Sequence, residues 1–223
     1  DVVALTDHDT TDGLPEALAT GSVVGVEVVP GVEFSAEFEG NSVHVLCYWM
    51  DPQDPALQLE LRRLREDRFR RGELMVGKLQ ELGLPVAFQR VRAIAGDATI
   101  VRPHIAQAMV EAGVVATEKE AFERYIGDGG PAHVAKHALD PVNAVALIDG
   151  AGGVCALAHP GMWGDQSSVP VELIERMAAA GMRGLEVDHP DHTPEMRERY
   201  RTVAGELGLI ATGGSDCHGT RYD

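Results

Sequence analysis

Val2-Val3-Ala4-Leu5-Thr6-Asp7-His8-Asp9 passes from four apolar residues almost directly into three ionisable ones. A buried parallel strand delivers ligands to the mouth of an α/β sheet in this way. The apolar run fills the interior, and the residues past its carboxyl end reach the functional face. The pattern recurs in Gly31-Val32-Glu33, Val43-His44-Val45, Leu157-Ala158-His159-Pro160 and Gly214-Ser215-Asp216-Cys217-His218. Each joins an apolar or glycine-rich stretch to an imidazole or a carboxylate. Five such endings in one chain predict a metal-binding enzyme.

Working outward, Val2–Thr6 reads as a strand and Leu14–Ala19 as a helix after the Thr11-Asp12-Gly13 turn. Residues 23–38 hold one or two strands broken at Pro30-Gly31, and Ser42–Trp49 is a further strand across the turn Glu39-Gly40-Asn41. From Pro52 the composition changes. A long charged helical pattern fills 55–82, and shorter helices follow near 89–95, 103–112 and 117–125. Alternation then resumes as helix 141–150, strand 153–158, helix 169–180, strand 184–188, helix 194–207 and strand 209–213. The chain therefore predicts an α/β domain from 1–52 and 141–223, with a parallel sheet or barrel, interrupted by a helical insertion domain over 53–140.

A length of 223 residues allows a full core, and 44% hydrophobic with 24% charged residues is ordinary for a soluble globular protein. No apolar run reaches the roughly 18 residues of a membrane helix, so no membrane partner is expected. The net charge of −16 argues against a broad nucleic-acid-binding surface but leaves room for a small nucleotide. Cys47, Cys155 and Cys217 match neither a disulfide framework nor a thiolate metal site, and no leader with a charged start and apolar core is present. A reducing cytoplasm is the expected location.

Mixed imidazole and carboxylate ligands suit Mn, Fe or Zn. Alternation of an extended chain points Asp216 and His218 to one side and Cys217 to the other. His8 between two aspartates reads as a ligand or a turn histidine, and His44 as a ligand or a satisfied core histidine. Glu33 follows an apolar strand, where a carboxylate needs a partner or a cation. His133 and His137, spaced i,i+4 in the insertion, read as solvated surface. His189 and His192 flank Pro190 in a loop that borders the site, and Glu186 is either an inward carboxylate or the partner of an arginine.

The helix over 55–82 carries an apolar stripe of Leu57, Leu61, Leu64, Met75, Leu79 and Leu82, whose gap falls on Arg68 and Arg71. Forked guanidinium donors on a buried face fit phosphate. Arg102-Pro103-His104 opens a helix, where an anion is also favoured; a ligand-free helix cap is the competing reading.

Together these stretches resemble the PHP (polymerase and histidinol phosphatase) family of metal-dependent phosphoesterases. The resemblance runs through Ala4–Thr10, Pro30–Ser35, Ser42–Leu46, Arg102–Ala106, Leu157–Gly161 and Thr212–Gly219, in order along nearly the whole chain. It is nearest to the bacterial branch that acts on nucleotides. The resemblance implies a distorted (β/α)7 TIM-like barrel with a small helical cap and two or three divalent ions at its mouth, manganese first, with zinc and iron as alternatives. His8, Glu33, His44, His159, Asp216 and His218 would be ligands, with Glu33 bridging two ions. Arg68, Arg71, Arg102 and His104 would hold substrate phosphate. The family's opening His-x-His motif, and an aspartate after it, are expected in a segment preceding Asp1. The implied reaction is phosphomonoester hydrolysis on a small nucleotide such as adenosine 3′,5′-bisphosphate or AMP. The alternatives are 5′-to-3′ exoribonuclease action on short RNA and a non-catalytic nucleotide-binding module.

Overall fold

The computed structural model describes residues 1–96, 99–135, 139–162 and 168–217. They fall into two compact units, one of Asp1–Leu61 with Ala138–Asp223 and one of Arg62–His137.

The first unit is built on six strands in sequential order: β1 (Val2–Leu5), β2 (Glu27–Phe38), β3 (Asn41–Tyr48), β4 (Val154–Leu157), β5 (Gly184–Asp188) and β6 (Ile210–Gly213). The sheet curls into a half-barrel. Pairing is parallel for β1–β2, β4–β5 and β5–β6, but β3 runs antiparallel to both neighbours. The sheet is therefore mixed, not parallel throughout. The cause is local: Glu39 and Gly40 both take positive φ, 50° and 82°, which makes a tight hairpin that sends β3 straight back along β2. The reversal matters for the site. It brings the amino-terminal half of β3, where His44 lies, to the end of the sheet where its parallel neighbours finish.

Pro30-Gly31 does not interrupt β2. The strand changes partners there: residues 27–30 pair with β1 and residues 31–38 with β3. A Cβ on Gly31 would stand 2.7 Å from Thr6 Cγ2 and 2.9 Å from the Cys47 and Leu5 carbonyl oxygens, so only glycine fits this crossing. β1 is less buried than its apolar run predicts. It pairs with β2 alone among the described residues, and Val2 and Val3 are exposed.

Helices cover the sheet. After β1 comes α1 (Leu14–Val24), which extends through the valines expected to begin a strand and stops at left-handed Gly25. α6 (Pro141–Gly150) starts on Asp140, whose carboxylate accepts the Val142 and Asn143 N–H groups, and packs on β2, β3 and β4. α7 (Val171–Ala179) links β4 to β5. α8 (Pro194–Leu207), capped by the Thr193 hydroxyl on the Met196 N–H, packs on β5 and β6. Val32, Phe34, Val45, Leu157, Leu185 and Val187 on the sheet are fully buried, as are Ile148, Leu173 and Met177 on the helices.

The 27-residue helix α2 (Pro55–Glu81) starts in the first unit and runs into the second, which also holds α3 (Phe88–Ala95), α4 (Arg102–Glu111) and α5 (Glu118–Ala121) with a π-helical turn over Phe122–Ile126. The second unit has its own core of Met75, Val76, Leu79, Val91, Ile105, Met109 and Ile126. The α2 stripe is buried at Leu57, Leu61, Leu64, Met75 and Leu79, but Leu82 lies past the helix end and is exposed. No helix among the described residues is long and apolar enough to cross a membrane.

Candidate metal centre

Glu33 is the hub of the site. It sits mid-strand in β2 at 5% exposure, where an ionised carboxylate needs compensation. Three imidazoles supply it: His44 Nδ1 lies 3.0 Å and His159 Nε2 3.1 Å from Oε1, and His8 Nδ1 lies 3.4 Å from Oε2. Burial pulls the Glu33 carboxyl upward, but hydrogen bonds to His159 and His44 and the charges of His44 and His8 hold it well below the usual carboxylate range.

Each histidine is delivered by a different element. His8 follows β1 in a segment pinned to β2: the Asp9 N–H donates to the Glu33 carbonyl, the Glu33 N–H to the Asp7 carbonyl, and the buried Asp9 carboxylate accepts the Ser35 N–H at 2.8 Å. Asp9 takes φ 54°, a left-handed bend that keeps its carboxylate on β2. His44 comes from β3, its Nε2 3.3 Å from the Ser42 hydroxyl, and its carbonyl accepts the Ala158 N–H. His159 lies just past β4 at φ 21° and is 7% exposed. Its main-chain N–H donates to Glu186 Oε2 at 2.7 Å. Burial pulls the His159 imidazole down, but hydrogen bonding to and the charge of Glu33, with help from Asp216 and Glu186, raise it above the ordinary value.

The donor set fits a divalent cation. His44 Nδ1, His159 Nε2 and Glu33 Oε1 lie 3.0–3.2 Å from one another, so three lone-pair-bearing atoms crowd a single point. Such crowding calls for a shared proton or a cation. Ligand-capable atoms fall into two groups, His8–Glu33–His44 and Glu33–His159–Asp216, each within 4.8 Å. Glu33 is common to both. Nitrogen and oxygen donors in this mixture match Mn, Fe or Zn. Asp216 follows β6 and the Gly213-Gly214 pair at φ 50°. His218 lies outside the described residues.

Glu186, undecided between two roles in the sequence, is an inward carboxylate on β5 that accepts the His159 N–H while 4% exposed. Burial raises its carboxyl above the usual range, the His159 N–H opposing this. His189 and His192, just past β5, are also buried, and the rings of His159, His189 and His192 follow one another at centroid spacings of 5.3 and 5.4 Å. Sequence reasoning put these two at the border of the site without a role. Their only signal was two histidines in the loop leaving a strand.

The residues expected to hold phosphate all belong to the second unit. Arg68 is half-buried on α2, and Arg71 Nε donates to the Val134 carbonyl at 2.6 Å. Arg102 pairs with Asp128 at 2.8 Å and lies over the Phe122 ring. His104 is buried, and its Nδ1 accepts the Val101 N–H in a capping interaction at the start of α4. His133 lies in coil, 3.5 Å from Asp128, and His137 lies outside the described residues.

No family model matches the chain. Over 218 residues it is 34% identical to the 3′,5′-nucleoside bisphosphate phosphatase of Chromobacterium violaceum, covering 97% of this chain and 76% of that protein. A solved structure from Bifidobacterium adolescentis, assigned as a metal-dependent phosphoesterase, superposes with a TM-score of 0.87 at 36% identity, over 97% of this chain and 77% of the other. The chain belongs to this family of metal-dependent phosphoesterases. The same phosphoesterase family includes a 5′-3′ exoribonuclease of Haemophilus influenzae, 33% identical over 217 residues that span 97% of this chain and 79% of that enzyme.

Proposed function

We propose that the chain is a PHP-type phosphoesterase, a distorted (β/α)7 barrel with a helical insertion over 53–140, which removes the phosphate of a small phosphorylated nucleotide such as adenosine 3′,5′-bisphosphate or AMP. The observation that carries this reading is the position of Glu33 in both ligand groups, the arrangement that a pair of cations sharing one carboxylate requires. His8, Glu33 and His44 would hold one ion, and Glu33, His159 and Asp216 a second, with His218 completing the set. Two or three divalent ions, manganese first and zinc or iron as alternatives, would supply hydroxide at neutral pH and neutralise charge on the phosphoryl oxygens.

The chain's own part is positioning. Burial of Glu33 and His159 keeps water from competing for the ligand atoms. Asp9 and Glu186 hold the main chain of the ligand-bearing segments. We ascribe substrate phosphate contacts to Arg68, Arg71, Arg102 and His104, whose alanine variants should raise KM for a phosphorylated nucleotide. The activity named for the Chromobacterium relative supports the nucleotide substrate. The exoribonuclease name of the Haemophilus relative favours a second reading, stepwise release of mononucleotides from short RNA. A cytoplasmic location suits the free thiols of Cys47 and Cys155.

The test is release of inorganic phosphate from adenosine 3′,5′-bisphosphate with Mn²⁺. Release that Asp216→Ala abolishes supports the phosphatase. Shortening of a 5′-phosphorylated oligonucleotide without such release favours the exoribonuclease. Neither activity in protein that binds no Mn²⁺ sinks the enzyme and leaves a non-catalytic module.

A further inference from the structure

Beyond the ligands themselves, the segment leaving β5 carries a group that the proposed chemistry has not used. His189 is 2% exposed. Its Nδ1 accepts the Asp191 main-chain N–H at 3.2 Å. With that lone pair engaged, a neutral imidazole carries its proton on Nε2. His189 Nε2 is buried and has no hydrogen-bond partner among the described residues. The acidic group it faces is Asp216, whose Oδ2 lies 4.0 Å away.

The ring is flanked by two others. It stands between His159 and His192, at centroid distances of 5.3 and 5.4 Å. His192 is fixed on both sides, its Nδ1–H donating to the Val187 carbonyl at 2.9 Å and its Nε2 accepting the Gly161 N–H at 3.1 Å. This tautomer also separates His189 from His8, His44 and His159, because Nε2–H has no lone pair to offer a cation. What it can do is donate. Asp216 lies beyond the end of β6, after two glycines and at φ 50°, so regular pairing does not orient its carboxylate.

We propose that His189 is a positioning residue of the metal centre: a neutral donor, held in one tautomer by Asp191, that steadies one Asp216 oxygen and leaves the other for the cation. The proposal rests on the reading of Glu33, His159 and Asp216 as cation ligands. A buried donor behind a ligating carboxylate sets the carboxylate's direction, and removing such a partner lowers metal affinity about 10–100-fold.

The experiment titrates chelator-treated protein with Mn²⁺ and follows free ion by electron paramagnetic resonance. It compares the natural chain with His189→Gln and His189→Met. The two side chains have the same length, and only glutamine retains a donor. Glutamine should bind Mn²⁺ within about threefold of the natural protein, and methionine about 10–100-fold more weakly at one ion, with equal metal-free unfolding midpoints for the two variants. Natural affinity in the methionine variant overturns the proposal, as does an equal loss in both variants, which assigns the effect to packing. Absence of Mn²⁺ binding by the natural chain overturns the cation site itself, a result distinct from either.

Discussion

Glu33 shows how one residue ties the site together. His44 is grouped with His8, and Asp216 with His159, but Glu33 belongs to both groups. If two cations share it as proposed, removing its charge weakens both, where removing a peripheral ligand weakens one. Glu33→Gln is expected to lower Mn²⁺ affinity at both positions by at least about 100-fold, while His44→Ala and Asp216→Ala each leave one ion in place. Equilibrium dialysis with metal analysis counts the ions directly, and one ion retained in Glu33→Gln would refute the shared role. The gathering of His8, Glu33, His44, His159 and Asp216 was legible in the sequence because each follows or lies within an apolar or glycine-rich stretch, and the pattern recurs along the chain. The support beneath them was not legible. Asp9 reads as a loop aspartate until its carboxylate is seen on the Ser35 N–H, and the tautomer of His189 depends on a main-chain N–H two residues away.

At the scale of elements, the bounds of α6 and α8 were legible and strand direction was not. Thr193-Pro194 and Asp140-Pro141 announce α8 and α6, because a capping oxygen followed by proline satisfies the first turn. The reversal of β3 depends on two positive φ values at Glu39-Gly40, of which only the glycine was a plain signal. That reversal also sets Cys47 directly opposite Cys155 across the β3–β4 pair, both buried and free. Burial pushes the Cys47 thiol up to about 12, and burial together with the charge of Cys47 raises Cys155 as well. The folded values exceed the unfolded value of about 8.5. Each thiol's contribution to stability is thus complete below that value and declines as pH rises towards the folded one, by about 1.4 kcal/mol per unit per group. Urea midpoints between pH 8 and 10 should fall, and Cys47→Ala should make the fall shallower. An unchanged slope in that variant would show that the alkaline loss arises elsewhere.

For the whole molecule, the candidate ligands and the helical core belong to different units. His8, Glu33, His44, His159 and Asp216 all lie in Asp1–Leu61 or Ala138–Asp223, while Arg62–His137 has an apolar core of its own. The change of composition at Pro52 made the run of helices from α2 onward legible; the limits of a compact unit depend on packing that spacing does not report. A cation bound only by the folded first unit stabilises it by mass action, about 2.7 kcal/mol when free ion is 100 times the dissociation constant. For a chain of this size that amounts to roughly 5–10 °C in unfolding midpoint. Calorimetry with chelator and then with Mn²⁺ should therefore show an upward shift of this order in the part of the heat absorption that comes from the first unit. The part contributed by the helical unit, which holds none of the five candidate ligands, should stay in place. Mn²⁺ that leaves the entire trace unmoved would mean that the crowded nitrogens and oxygens around Glu33 share protons, not a metal. A shift confined to the helical unit would place the cation away from Glu33 altogether.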